Sequence, residues 1–101
     1  MARLIYSAVA LADLERLTDF LLKNDPTVAA ETAGLIMNAV EVLRNHPLIG
    51  RPVEEGLREL VISRGRTGYV ALYSVEDEHD AVFIFSIRHQ RETGYLDPLE
   101  H

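Results

Sequence analysis

Residues 21–30, LLKNDPTVAA, decide the fold. Asn24-Asp25-Pro26 breaks a helical pattern and restarts it. The Asp25 carboxylate can cap a new helix, while Pro26 takes the first turn, where its missing N–H leaves nothing unsatisfied. Upstream, from Val9 to Asn24, Ala10, Leu14, Leu17 and Leu21 recur at spacings of four, three and four, which is one face of an amphipathic helix. Asp13, Glu15, Arg16 and Asp19 fall mostly off that face. Downstream, to about Asn45, Ala29, Ala33, Ile36, Val40 and Leu43 form a second stripe, widened by Leu35, Ala39 and Val42. Two such helices joined by a tight Asp-Pro turn make a helical hairpin, and the wide stripe of the second arm asks for a sheet as well as the first helix.

The flanks supply that sheet. Residues 2–7 (ARLIYS) read as a first strand. Pro47, Gly50, Pro52 and Gly56 mark a loop of roughly ten residues. Pro and Gly give that loop a sufficient structural reason, so HPLIGRPV (46–53) is assigned no chemistry. Three β-like runs follow, at 57–63, 69–75 and 81–89, the last two joined by the polar connection Glu76-Asp77-Glu78-His79-Asp80. The expected fold class is α+β, in the order β-α-α-β-β-β, with a mostly antiparallel sheet and the helical hairpin packed on one face. In the last strand, alternation places Phe83, Phe85 and Ile87 on the core side, with His89 continuing their line. Val82, Ile84, Ser86 and Arg88 then point to the other face. That second face is not fully polar, so a partner is expected to cover it.

Bulk composition narrows the classes. With 101 residues, one domain is expected, spanning 1–98, with Leu99-Glu100-His101 read as expression-tag residues. A chain 48% hydrophobic and 26% charged can bury one modest core. The absence of cysteine excludes a disulfide framework and a thiolate metal site. No run approaches the roughly 20 apolar residues of a membrane span and no signal-peptide pattern opens the chain, so a cytoplasmic protein is expected. A formal net charge of −6 argues against broad nucleic-acid binding, which depends on basic phosphate contacts. Asp77, Glu78 and Asp80 read as a solvated hairpin tip, so neither a metal nor a cofactor is expected.

Against this acidic background, SIRHQRETGY (86–95) gathers two arginines, a histidine and a tyrosine. Arg64 and Arg66 flank Gly65, and with Arg88 and Arg91 they form either a basic patch or ordinary surface charges, some paired with Glu59 or Glu92. His89 has an imidazole suited to proton transfer near neutral pH, but its place on the core-facing line favours a structural role. Tyr69 and Tyr73 alternate on one strand face as sheet-packing residues. Tyr95 is equally a functional contact or a cover for the core edge.

HPLIGRPV (46–53), GLREL (56–60), GYVALYSV (68–75) and IRHQRETGY (87–95), in this element order, resemble the RelE/ParE superfamily of type II toxin–antitoxin toxins, and the ParE branch in particular. The resemblance runs from about Leu4 to Tyr95. It implies a small toxin neutralised by a cognate antitoxin that folds on binding, over the helix-free sheet face or the outer groove of the hairpin. The ParE branch poisons DNA gyrase, whereas the RelE branch cuts messenger RNA on the ribosome. The nuclease pattern carries two lysines on the second strand, an arginine early in the third, and an arginine and tyrosine after the fourth. Those strand positions fall here on Glu59, Val61 and Val70, leaving Arg91 and Tyr95 as matches. Each missing cation would cost on the order of 3 kcal/mol of transition-state stabilisation. The expected function is therefore a gyrase-directed toxin that catalyses no reaction itself, with Arg64, Arg66, Arg88, His89, Arg91 and Tyr95 as target contacts. The alternatives are a RelE-type endoribonuclease using His89, Arg91 and Tyr95, and a non-toxic antitoxin-binding protein of the same fold.

Overall fold

The computed structural model of the chain describes residues 1–64 and 67–90, with the backbone alone for 63, 64 and 67. Strand β1 (Arg3–Tyr6) leads through Ser7 into helix α1 (Ala8–Asn24), and helix α2 (Pro26–Glu41) follows after the single residue Asp25. The hairpin turn is built as its sequence requires. Asp25 Oδ1 accepts from the N–H groups of Thr27 (3.0 Å) and Val28 (3.4 Å), and the Asp25 N–H closes α1 on the Leu21 carbonyl at 2.7 Å. A 3₁₀ turn, Val42–Arg44, extends α2. Strands β2 (Arg51–Glu54), β3 (Leu57–Arg64), β4 (Thr67–Glu76) and β5 (Ala81–His89) complete the fold.

The five strands form one mixed sheet in the order β1-β5-β4-β3-β2. β1 runs parallel to β5, and the remaining neighbours are antiparallel. Strand β2 lies inside the stretch expected to be a loop. Its four exposed residues, RPVE, include Pro52, and an outer strand tolerates proline because one of its edges has no partner to which an N–H must donate.

The helices cover one face. Ala10 and Leu17 of α1, with Ile36, Val40 and Leu43 from α2 and its extension, pack on Ile62, Tyr69, Ala71, Tyr73, Val82, Ile84 and Ile87. Val42, expected to widen this stripe, is instead 41% exposed, because the 3₁₀ turn rotates it away from the sheet.

The face assignment in β5 also needs correction. Tyr73 pairs with Ile84 but Leu72 pairs with Ser86, so Phe85 is an extra residue in the strand. This bulge reverses the alternation. Val82 and Ile84 lie in the core before it and Ile87 after it, whereas Phe83 is half-buried and Phe85 is 39% exposed. Ser7 occupies the bulge. Its N–H donates to the Ile84 carbonyl and its hydroxyl to the Phe85 carbonyl, both at 2.9 Å, while Oγ caps α1 through the Ala10 N–H.

Tyr73 anchors the connection into β2. The fully buried phenol donates to the Pro47 carbonyl at 2.7 Å and accepts from the Gly50 N–H at 2.8 Å. Arg58 donates to the carbonyls of Leu48 (3.2 Å) and Gly50 (2.7 Å). A Cβ on Gly50 would lie 2.6 Å from the Tyr73 hydroxyl, so only glycine fits this approach. Burial holds the Tyr73 phenol above its ordinary pKa, and the Gly50 hydrogen bond and nearby Arg58 pull it partly back.

Candidate functional site on the open sheet face

Among the described residues, the second sheet face carries no helix. Glu59 stands opposite Leu72, and Val61 opposite Val70. Val70 pairs with Arg88, and Leu72 with Ser86. A groove of about 620 Å³ crosses this face, lined by Val53, Glu54, Glu59, Val70, Leu72, Ser86 and Arg88. Val61, 45% exposed, continues its apolar floor. Across the β2–β3 pair, Arg51 Nε and an Nη donate to one Glu59 carboxylate oxygen at 3.0 and 2.7 Å.

At the β5 edge, α1 contributes a residue that its charge places off the buried face. Asp13 is 6% exposed. β1 is only four residues long and stops short of the second half of β5, which would leave edge N–H groups unpaired. Asp13 Oδ2 accepts from the Ile87 N–H at 3.0 Å and lies 3.8 Å from Arg88 Nε, while Oδ1 is 3.5 Å from Arg16. One carboxylate thus closes the strand edge and holds the arginine that lines the groove.

Of the sequence-expected contacts, Arg88 and His89 are the two whose side chains are described, and they lie on opposite sides of the sheet. Arg88 lines the groove. His89 belongs to the opposite, helix-side line and meets Tyr69 edge-on, with ring centroids 5.2 Å apart and planes at 87°. Tyr69 and Tyr73 are buried, as packing residues should be. The Arg64 backbone pairs with Thr67 at the end of β3. Arg66, Arg91 and Tyr95 lie outside the described residues, as do Glu92 and 99–101. Asp77–His79 is an exposed 3₁₀ turn ended by Asp80 in the left-handed region at φ 49°.

Sequence reasoning passed over Asp13, Arg51, Val53, Glu54 and Leu72. A legible signal existed for Asp13, which sits three residues after Ala10 and four before Leu17, on the stripe itself. Leu72 shares the parity of Val70, which marks it as an open-face residue once Tyr69 and Tyr73 are taken as core.

Residues 4–94 match the family described as the ParE toxin of type II toxin-antitoxin system, parDE. The chain belongs to the ParE toxin family. Among curated proteins, Toxin RelE3 of Caulobacter vibrioides is 40% identical over 83 residues, covering 82% of this chain and 88% of the relative. Toxin RelE2 of the same organism is 35% identical over 88% of this chain and 96% of its own length. Among solved structures, a toxin of the chromosomal ParDE system from P. aeruginosa superposes with a TM-score of 0.74 at 26% identity, covering 87% of this chain and 95% of that one. The isolated E. coli RelE toxin shares the fold, with a TM-score of 0.62 at 16% identity over 98% and 99% of the two chains. The protein is therefore a type II toxin–antitoxin toxin of the RelE/ParE superfamily. Among its described residues, no helix is long and apolar enough to cross a membrane.

Proposed function

We propose that this ParE-family toxin arrests growth by binding DNA gyrase, catalyses no reaction itself, and is neutralised by a cognate antitoxin. The lining of the open groove carries the choice of target. Glu54 and Glu59 stand beside Val53, Val70 and Leu72, and Arg88 is the one cation lining the groove among the described residues. Cleaving RNA through its 2′-hydroxyl needs cations at the phosphate and a base within reach. Here Glu59 is an anion already paired with Arg51, and the valines offer a phosphate nothing. His89 stacks edge-on against Tyr69 on the other side of the sheet, away from that groove. An apolar floor with one arginine at its margin suits a protein surface better than a polyanion. The cognate antitoxin is supported by the structural relatives, which include the toxin–antitoxin complex RelBE2 from Mycobacterium tuberculosis, at a TM-score of 0.57 and 26% identity.

The second reading, ribosome-dependent messenger cleavage, is favoured by the RelE names of the curated relatives. Titrating the toxin into gyrase supercoiling of relaxed plasmid, with and without ATP, separates the two. Loss of supercoiling or accumulation of cleaved DNA is the expected result. Unimpaired gyrase at high excess, together with messenger cuts mapped by primer extension after induction, would replace this reading with the second.

A further inference from the structure

Asp13 is a buried carboxylate that lies outside the groove yet touches a residue that lines it. Its side chain is 9% exposed and reaches the β5 edge, where it accepts from the Ile87 N–H at 3.0 Å. Closing that edge needs only an oxygen acceptor. An amide would supply one without taking a charge out of water, so the hydrogen bond alone does not account for the carboxylate. The charge is answered by two arginines. Arg16, one turn along α1, lies 3.5 Å from Oδ1, with its side chain 47% exposed. Arg88, from β5, brings Nε to 3.8 Å from Oδ2, with its side chain 34% exposed. Of the two, Arg88 is the one that lines the groove, on the β5 side, with Glu54 on the β2 side. Fixing a long side chain on binding costs affinity, and a contact that already restrains it removes part of that cost.

We infer that Asp13 is a positioning residue for target binding: it holds the Arg88 guanidinium at the groove margin, set to receive a carboxylate of the target protein. The inference rests on the target-binding reading of the open face and names the chemistry that Arg88 takes there. A guanidinium suits both tasks, because its five N–H donors lie in one plane and let an arginine serve two carboxylates at once. Charge argues for the class of the anion. Asp13 stands behind Arg88 and Glu54 lines the same groove, so the positive charge at this margin is already partly neutralised. That balance suits one monovalent anion and not a backbone of successive phosphates, which needs repeated cations. Val70 and Leu72 on the floor offer the apolar surroundings of such a carboxylate a surface to cover, as in the core of a protein interface.

The test is a double-substitution cycle. Wild type, D13N, R88A and D13N/R88A are compared in affinity for purified gyrase, with and without DNA, and in growth arrest on induction. D13N keeps an oxygen for the Ile87 N–H, so its thermal midpoint should stay within a few degrees of wild type. R88A should weaken binding to DNA-free gyrase by roughly 30-fold and D13N by roughly tenfold. D13N/R88A should match R88A within about twofold, whereas a residue that merely braced the fold would add its own loss. R88K leaves Asp13 and the positive charge in place, yet should bind nearly as weakly as R88A, because an ammonium lacks the planar fork. R88K also keeps the inference open to refutation should D13N prove unstable. Wild-type affinity in D13N or R88K overturns the inference, as does simple addition of the D13N and R88A losses. Dependence on Arg88 that emerges only with DNA present overturns the carboxylate in favour of a phosphate. If wild type arrests growth but leaves gyrase untouched, the gyrase reading alone fails, and the same comparison in growth arrest decides the role of Asp13. If wild type arrests nothing, both fall.

Discussion

The two faces of β4 differ in what holds them. Tyr69, Ala71, Tyr73 and Val75 look toward the helices and take part in the core. Val70 and Leu72, one residue out of phase, floor a groove with no helix above it among the described residues. The same strand therefore carries stability on one side and the proposed interaction surface on the other. The covered face tolerates little change, because every side chain there is packed against a neighbour. The open face is free to change its chemistry while the scaffold stands.

Truncation across the two faces should separate them most clearly. Ile84, with no exposed surface, should lose about 3–4 kcal/mol of stability on Ile84→Ala, read from the urea midpoint. Leu72→Ala, on the groove floor, should lose about 1 kcal/mol or less while weakening target binding. Comparable losses at the two sites would erase the distinction.

Asp13→Ala tests the seam between the faces. It leaves the Ile87 N–H without its acceptor and removes the carboxylate beside Arg88. The expected loss is about 2 kcal/mol, with faster hydrogen exchange at Ile87. Asp13→Asn should recover much of the stability, because an amide oxygen can still accept that bond.

Tyr73→Phe should cost about 1–2 kcal/mol, since the buried Gly50 N–H loses its acceptor. It should also change the alkaline limb of the stability curve. Burial raises the Tyr73 phenol in the folded state, and burial followed by the Glu41 charge raises Tyr6. Both contributions are complete below pH 10.0, the ordinary tyrosine value, and are lost as pH climbs from there through the raised folded values. Denaturation followed between neutral pH and the alkaline range should show a steeper fall for wild type than for Tyr73→Phe.

Glu59→Gln should have the smallest effect. Its partner Arg51 has a side chain 72% exposed, and such pairs contribute about 0.5 kcal/mol or less. A loss above about 1 kcal/mol would mean that the open face also contributes to holding the fold.

Most of the scaffold was legible because its signals are local. Asp25-Pro26 states the helix break in adjacent residues, and the 3.6-residue stripes of both helices point at the core. What escaped depends on pairing across the sheet. The Phe85 bulge is invisible in a run of alternating aromatics and aliphatics, because it arises only when β5 is laid against β4 and its extra carbonyl finds Ser7. Strand β2 was hidden by Pro52, whose edge position makes it harmless. Asp13 was read by its charge, whereas its place on the stripe reflects an orphan N–H on a distant strand. At the candidate site, the chemistry of Glu59, Val61 and Val70 could be read from the sequence. The separation of Arg88 from His89 follows from strand alternation, and the groove between β2 and β5 required the completed sheet.

Ser7 also bears on when this toxin comes into being. Its hydroxyl closes on the Phe85 carbonyl 78 residues away, and β1, which it terminates, has β5 as its only partner among the described strands. A growing chain can form the helical hairpin early, since those contacts are local, but its first strand has nothing to pair with until β5 has been synthesised. Sheet closure thus comes late in translation. Before it, neither the β5 side of the groove nor the carboxylate seal at its edge exists, so the proposed interaction surface forms only once β1 and β5 have met.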